Sequence, residues 1–425
     1  MNSRFSSLFN LSEAQAIEIL DGPAEDSDEA SSRYIAAAHL VNFETEPSIA
    51  ALMRAVKNTD ADLDNRIVRR KALESLGRLK VKGALPVIER CLEDEDNYLV
   101  ENAAWALGEI GTDNVATLEK LAEQLDRPDQ SYRTIIHTLA NLGYEPAAER
   151  IGKFTTSDQV PIASAALSAI YQLKGDEGVM LQVLKFLQST DVNARRGSIQ
   201  DLIDAHYFKA IPQIAQCPVS MVFRLRGIRL LAEAGIESGD LTFAQVQPAL
   251  EKTIRDYPHD VALVHTYDQM PTVQALVQAL YGTDFGRCYL ASQVLIDHFA
   301  EAAPAVLLES YWAEGYNDYG AHYHMVRLWG WLKVTEAVDL LVEALNNKSP
   351  QFQKSRVAAA IALGELSAGS LAAPQIIEAL KTALSVPIWD LQYAALMALD
   401  QLGQAGGQLS VDSADWLVQE KLKSM

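Results

Sequence analysis

The chain has 425 residues, of which 49% are hydrophobic and 22% charged, a composition typical of a soluble protein with a substantial core. Its formal net charge of −20 at pH 7 argues against a nucleic-acid partner, because phosphate backbones bind basic surfaces. Small anionic ligands stay compatible with this charge, since a local basic pocket can lie within an acidic surface.

The N-terminal segment, MNSRFSSLFNLSEAQAIEIL, lacks the long uncharged apolar core of a signal peptide. No run approaches about 18 consecutive apolar residues, so we expect no membrane insertion. The three cysteines, Cys91, Cys217 and Cys288, lie far apart without a CxxC pair, which predicts a reducing compartment without disulfides or a zinc knuckle. A cytoplasmic location is therefore expected.

Residues 21–32, DGPAEDSDEASS, follow a first short predicted helix and are expected to form an exposed acidic loop. Beyond them the sequence repeats. Small residues recur in ALESLGRL, AAWALGEIG and HTLANLGYE, which carry Gly77, Gly108 and Gly143, and again in VRLWGWL and AAAIALGELS, which carry Gly330 and Gly364. Asp400 takes the matching position in MALDQLG. Repeats of this length indicate stacked supersecondary units.

A second amphipathic run follows several of these stretches, namely ALPVIERCLED, VATLEKLAEQL, VDLLVEALNN and PQIIEALKTAL. Leu and Ile at helical spacing form a buried stripe in each run, and no useful strand alternation is present. The pattern predicts an all-α fold, a curved α-solenoid of helix pairs in which each pair buries its apolar face against its neighbours.

The solenoid is expected to be continuous, with four sections. Residues 1–60 form an N-terminal helical cap with the acidic loop, 61–200 form regular repeats, 201–300 form irregular helical repeats, and 301–425 form C-terminal repeats. The irregular section is inferred from TIRDYPHDVALVHTYDQMPTVQ, where prolines, polar turns and aromatic residues replace the Ala and Leu of a regular repeat.

The repeat register places one aromatic stretch, YWAEGYNDYGAHYHMVRLWGW at residues 311–331, at the start of a second helix. Asp96 precedes Gly108 by the same interval as Asp318 precedes Gly330, so both aspartates should begin the second helix of a pair. In a solenoid that helix usually lines the concave surface. Asp318 and Tyr319 are therefore predicted to border a groove.

Two interpretations of Asp318 remain open. It caps a helix, with its carboxylate accepting backbone N–H bonds for about 0.5–2 kcal/mol, or it works with Tyr319 as a proton acceptor and a proton donor. Tyr316, His322 and His324 lie close by in sequence. A metal site that uses both histidines is disfavoured, since side chains at i and i+2 of a helix diverge by roughly 200°. The two tryptophans at the end of the stretch, Trp329 and Trp331, favour core packing.

Basic residues are the next candidates. Arg224, Arg226 and Arg229 in FRLRGIRLL form inter-repeat salt bridges or a guanidinium fork for a ligand carboxylate. The segment YGTDFGRCYL adds Asp284, Arg287 and Cys288. A nucleophilic Cys288 is disfavoured, because no Cys–His spacing supports a thiol enzyme and a free cysteine usually packs as a small hydrophobe. Phosphate-binding glycine loops, HExxH and GxSxG are absent from the sequence, so any catalysis rests on positioning and proton transfer.

The repeat VENAAWALGEIGTDNVATLEKL resembles the short HEAT-type repeat of phycobiliprotein bilin lyases. The resemblance continues through NARRGSIQDLI, FRLRGIRLL and YNDYGAHYHMVRLWGW and covers roughly residues 30–405. These stretches resemble the single-chain phycoerythrin-type members of the E/F clan, which include phycoerythrobilin lyases and lyase-isomerases of cyanobacteria. Such proteins hold an open-chain tetrapyrrole and deliver it to one cysteine of a phycobiliprotein subunit.

The resemblance implies a lyase that attaches phycoerythrobilin through a thioether to a phycoerythrin α subunit, with isomerisation to phycourobilin as a further expectation. The bilin is a substrate, and no permanently bound cofactor, metal or nucleic acid is expected. The residues expected to carry the chemistry are Asp318, Tyr319 and His322, and those expected to contact the bilin are Arg224, Arg226, Arg287, Tyr316, Asp284, His324 and Trp312. A lyase without isomerase activity and a non-catalytic protein-binding scaffold are the alternatives.

Overall fold

The computed structural model describes residues 11–23, 32–367, 373–404 and 406–425, and it divides the chain into two compact units, residues 1–182 and 183–425. Over those described ranges the chain consists of α-helices, short 3-10 segments, a π-helical turn and connecting turns and loops, with no β-strand. This confirms the all-α prediction. Most of the acidic loop predicted at 21–32 lies outside the described residues, and the four-section division stays a prediction.

The first unit is built from helix pairs. Its helices are α1 (Glu13–Leu20), α2 (Ser32–His39), α3 (Glu46–Lys57), α4 (Leu63–Arg78), α5 (Leu85–Cys91), α6 (Asn97–Ile110), α7 (Val115–Glu123), α8 (Tyr132–Asn141), α9 (Ala148–Gly152) and α10 (Val160–Lys174). The boundary between the units falls within α11 (Met180–Phe186). The amphipathic runs predicted as helices after Gly77 and Gly108 form α5 and α7.

The second unit contains α12 (Val192–Asp204), α13 (Ile211–Gln216), α14 (Met221–Ser238), α15 (Phe243–Arg255), α16 (Val273–Ala279), α17 (Phe285–His298), α18 (Ala303–Ser310), α19 (Tyr319–Trp331), α20 (Val338–Asn346), α21 (Gln353–Ser367), α22 (Ala373–Ala383), α23 (Trp389–Gln401) and α24 (Trp416–Ser424). A π-helical turn, Tyr311–Gly315, joins α18 to the segment before α19. Within the predicted irregular section, residues 261–272 contain no helix.

An aspartate caps many of the longer helices. Its side chain accepts a hydrogen bond from a backbone N–H of the first turn, which satisfies one of the donors that a helix leaves unpaired. Asp96 and Asp318 cap α6 and α19, as the repeat register predicts, and Asp284 caps α17. The capping interpretation of Asp318 is therefore confirmed.

Small residues bring successive helices into close contact. A Cβ atom added at Gly77 would lie 3.0 Å from Ala106, one at Gly330 would lie 2.8 Å from Ala362, and one at Gly364 would lie 2.8 Å from Ala398. Glycine is needed at these positions because a methyl group would push the neighbouring helix away. Gly143 differs from them: it follows the end of α8 with φ of +67°, so it ends a helix rather than packing against one.

None of the helices in the described ranges is long and apolar enough to cross a membrane. The unit cores are aliphatic and alanine-rich, with Trp329 as the largest fully buried side chain of the second unit. Trp331 is half-buried between the ring of Tyr257 and the guanidinium of Arg327. Packing is thus the role of both tryptophans, as predicted.

Candidate functional site

The candidate site lies in the second unit, where the N-terminal ends of four helices border one open pocket of about 420 Å³. Ligand pockets of small-molecule sites fall in this size range. Ser220 and Val222 come from the start of α14, Tyr319 from the start of α19, and Asp390 from the start of α23, while Pro350, Gln351, Gln353 and Lys354 come from the segment that begins α21.

Tyr319 is the predicted residue that reaches this pocket. Its side chain is 58% exposed, so its ring is available as a flat contact surface. Asp318 precedes it, and the Oδ1 atom of Asp318 accepts backbone N–H bonds from Gly320 at 2.9 Å and Ala321 at 2.8 Å. The cap thus fixes where α19 begins and holds the ring of Tyr319 at the pocket.

Two further aromatic side chains lie exposed just before α19. Trp312, on the π-helical turn, is 64% exposed, and Tyr316 is 54% exposed. Single π-helical turns are rare and frequently mark functional sites. The two exposed rings give this segment a surface suited to contact with a flat ligand.

Lys354 is a pocket residue that was not predicted from the sequence. Its Nζ atom lies 4.5 Å from the ring centre of Phe285, 5.2 Å from that of Tyr319 and 5.3 Å from that of Tyr323. Burial lowers the pKa of Lys354 to about 8. A lone lysine in SPQFQKSRV carries no spacing signal, and only the tertiary structure brings these rings around it.

Asp390 also lines the pocket and was not predicted. Burial raises the pKa of its carboxyl group. The pocket therefore holds a lysine and an aspartate whose charged forms are both disfavoured by desolvation, which is a common property of functional sites.

The two predicted histidines of α19 are buried away from solvent. His322 packs against Tyr311 and Phe352, with ring centres 5.6 Å and 4.8 Å apart, and burial lowers its pKa to about 4. His324 packs against Phe285 with ring centres 4.6 Å apart, and burial lowers its pKa well below the usual value. Both rings are neutral at pH 7, and they lie against different partners, as the i, i+2 spacing requires.

Arg224 is part of a buried cluster. Its guanidinium forms an ion pair with Asp256 and donates to the hydroxyl of Tyr289 and to the carbonyls of Ala215 and Val219. Tyr289 donates in turn to Asp256. With its donors directed at these groups and its side chain only 1% exposed, Arg224 acts as an internal support.

Arg226 and Arg287 are exposed instead. The Nη1 atom of Arg226 donates to the side chain of Gln200 at 2.7 Å, and Arg226 lies one helical turn beyond the pocket residue Val222. Arg287 follows Phe285, which contacts Lys354, by two residues on α17. Of the predicted arginines, these two present guanidinium groups at the surface.

Asp284 belongs to a separate polar group. It caps α17, forms an ion pair with the buried Arg195, and contacts Nε2 of His265 at 2.9 Å.

The three cysteines are buried, and desolvation raises the pKa of Cys91 to about 11 and the pKa values of Cys217 and Cys288 to about 12. Thiols protonated to this degree are poor nucleophiles at neutral pH.

Residues 61–140 match a family model described as HEAT repeats. Together with the helix pairs of the structure, this match defines the chain as a HEAT-repeat protein. It is 52% identical over 425 residues to the uncharacterized phycocyanin operon protein Y of Pseudanabaena tenuis (strain PCC 7409), with 100% of both chains covered. It is 32% identical over 390 residues to the bilin biosynthesis protein CpeY of Synechococcus sp. (strain WH8020), with 90% of this chain and 92% of the relative covered.

A third relative is the phycocyanobilin lyase subunit alpha of Picosynechococcus sp. (strain ATCC 27264 / PCC 7002 / PR-6). It is 26% identical over 244 residues, which cover 54% of this chain and 91% of the relative. The chain belongs to the E/F-type bilin lyase family.

Proposed function

We propose that this protein is a bilin lyase that attaches phycoerythrobilin through a thioether to a cysteine of a phycoerythrin α subunit and isomerises it to phycourobilin. The observation that carries the proposal is the pocket at the start of α19, where the exposed ring of Tyr319 lies beside Lys354 and the apolar Val222 and Pro350. Family membership supplies the substrate class, an open-chain tetrapyrrole.

The pocket's composition suits a flat and largely apolar molecule that carries carboxylates. The Tyr319 ring and the aliphatic atoms of Val222 and Pro350 offer nonpolar contact, and polar side chains line the rest of the pocket, namely Ser220, Gln351, Gln353, Lys354 and Asp390. Trp312 and Tyr316 extend the exposed aromatic surface in the segment before α19. We propose that the pocket holds part of the tetrapyrrole and that these rings contact the remainder.

The attachment step is an addition. The sulfur of the acceptor cysteine bonds to the exocyclic double-bond carbon of ring A, and a proton is added to the adjacent ring carbon, so no atoms are lost and no oxidant is needed. The nucleophile is the partner's thiol, which agrees with the buried, protonated cysteines of this chain. The lyase contributes alignment of the two reactants and exclusion of water.

Isomerisation removes one proton from the conjugated system and adds one elsewhere, with composition unchanged. Asp318 uses Oδ1 for the helix cap and keeps Oδ2 as an acceptor, and Tyr319 carries an exposed hydroxyl. In the proposal Asp318 accepts the proton and Tyr319 donates one.

Mixing the purified protein with phycoerythrobilin and then with apo-phycoerythrin α subunit tests the proposal. We expect a shift of the visible spectrum on binding, and a covalent product that absorbs at the shorter wavelengths of phycourobilin after denaturation. No spectral change with free bilin would favour the scaffold alternative. Attached bilin that keeps the phycoerythrobilin spectrum would restrict the function to lyase activity.

A pair of tyrosine variants localises the bilin. Tyr98 is the matched control for Tyr319, because it also lies in the first turn of an aspartate-capped helix and is 64% exposed. Tyr319→Ala should weaken bilin binding roughly tenfold through lost ring contact, while Tyr98→Ala should leave it unchanged. Equal affinities of the two variants would place the bilin elsewhere.

A further inference from the structure

Lys354 is a half-buried cation that forms no salt bridge among the described residues, and the carboxylates of Asp318 and Asp256 act on it only from a greater distance. It contacts the faces of three aromatic rings, and within the part of the chain that the structure describes no carboxylate lies within ion-pair distance of its Nζ atom. Many other long cationic side chains of the second unit are paired, for example Arg195 with Asp284 and Lys421 with Asp400. Lys354 differs from these residues, since no salt bridge among the described residues offsets its charge.

An unpaired cation at such a site is costly. Removing an ammonium group from water costs more free energy than one ring face returns. The lowered pKa of Lys354 has the same physical origin, since desolvation disfavours the protonated form. An anion that enters the pocket would supply the missing counter-charge. Because the site is partly desolvated, the attraction between this anion and Lys354 is stronger than it would be in bulk water.

We propose that Lys354 binds a carboxylate of the ligand, specifically one of the two propionates of the open-chain tetrapyrrole. The inference rests on the proposed function, and it assigns one contact within it. The ring of Tyr319 faces both Nζ of Lys354 and the pocket. Tyr319 can therefore contact the flat part of the ligand while Lys354 binds the carboxylate beside it. A single ammonium carries one positive charge, which matches the single negative charge of a propionate.

The proposal predicts how affinity depends on pH. Free Lys354 loses its proton near pH 8, and a bound carboxylate raises its pKa, so affinity for the dicarboxylate is highest below pH 8 and falls as pH rises to 9. Several other ionisable groups act on Lys354 or share its pocket, and the same measurement on a variant without Lys354 removes their contribution. These groups are Asp318, Asp256, Cys288, His322, His324, Tyr319, Tyr323 and Asp390.

The experiment compares phycoerythrobilin with its dimethyl ester, using the full-length wild type, Lys354→Met, Lys354→Arg and Lys348→Met. Lys348 is exposed and lies six residues earlier, so it controls for the loss of one positive charge. Affinity is measured from the visible spectrum. Lys354→Met should bind the dicarboxylate at least about tenfold more weakly than the wild type, and the ester equally well. Lys354→Arg and Lys348→Met should keep the wild-type preference for the dicarboxylate.

The binding results distinguish a failure of the Lys354 assignment from a failure of the proposed function. Equal binding of the dicarboxylate by the wild type and Lys354→Met would overturn the assignment of Lys354 and leave the proposed function intact. Equal weakening of the dicarboxylate and the ester in Lys354→Met would also overturn it, because the lysine would then act through pocket shape. Failure of the wild type to bind either form would overturn the proposed function and the assignment together.

Discussion

Arg224 and Asp256 form an ion pair at the centre of the second unit, with side chains 1% and 0% exposed. Asp256 ends α15 in the left-handed conformation, with φ of +51°, and accepts hydrogen bonds from Tyr289 on α17 and from Tyr323 on α19. Tyr323 lies one turn after Tyr319, and Lys354 faces the rings of both. The buried cluster thus supports the helix that carries the pocket tyrosine.

Asp256→Asn tests the structural role of this cluster. It keeps the side-chain shape and the tolerance for positive φ, but it leaves the charge of Arg224 buried without a partner. We expect a loss of about 3–5 kcal/mol in the free energy of unfolding, measured by urea denaturation. Tyr289→Phe should lose less, about 1–2 kcal/mol, because it removes the hydrogen bonds of one neutral hydroxyl to Arg224 and Asp256 and leaves the ion pair intact. If Asp256→Asn lost no more free energy of unfolding than Tyr289→Phe, the ion pair would contribute little to stability.

Arg224 and Arg226 are two of the three arginines of FRLRGIRLL, and their substitutions should have different effects. Arg226→Ala removes an exposed side chain and should change the free energy of unfolding by less than about 0.5 kcal/mol, while weakening bilin uptake if its guanidinium binds a propionate. Arg224→Met should destabilise the fold in the manner of Asp256→Asn. Thermal unfolding and bilin titration of both variants make the comparison. Unchanged uptake by Arg226→Ala would leave that residue a purely structural partner of Gln200.

The role of Asp318 is tested with two substitutions. Asparagine caps a helix as well as aspartate does, so Asp318→Asn should preserve stability, whereas Asp318→Ala should lose about 1 kcal/mol. If the carboxylate is the base, Asp318→Asn lowers the yield of phycourobilin more than the total amount of attached bilin. Absorbance of the denatured product gives both quantities. A wild-type product from Asp318→Asn would restrict Asp318 to capping.

Lys354→Met should stabilise the protein in the absence of bilin. The folded-state pKa of about 8 lies below the unfolded value, so protonated Lys354 destabilises the folded state at pH 7. Allowing for partial exposure, we expect the free energy of unfolding of Lys354→Met to exceed that of the wild type by roughly 2 kcal/mol at pH 7. The gain should diminish as pH rises through 8 toward about 10.5, because the folded wild type then loses the unfavourable charge. Denaturation of both proteins across this range measures it, and a variant less stable than the wild type would contradict the argument.

The cysteines should be unreactive in the folded protein. With its pKa raised to about 12, Cys288 is almost fully protonated at pH 8, whereas an unperturbed thiol has a pKa of about 8.5. We expect no alkylation by iodoacetamide in native buffer at pH 8, and modification of all three cysteines in concentrated urea, read by mass spectrometry. Rapid native labelling of Cys288 would reopen the possibility of a nucleophile in this chain.

Local signals were sufficient for much of the fold. The spacing of Asp96 and Asp318 from the small residues that follow them predicted two helix starts, since a cap and its first turn lie within a few residues of one another. Gly330 and Gly364 recur at the repeat interval, and each lies where two successive helices come into close contact. Gly143 belongs to the same sequence pattern but follows the end of a helix, because a glycine that ends a helix and a glycine that packs within one look alike in sequence.

The sequence by itself determined that the chain is an all-α repeat protein and that Tyr319 follows a capping aspartate, because periodicity and capping are local properties. Only the tertiary structure decided that Arg224 is buried against Asp256 while Arg226 is exposed, since both lie in the same apolar run. It also decided that Lys354 lies among rings contributed by two other helices. Burial and charge pairing depend on residues distant in sequence, and those contacts give the candidate site its chemistry.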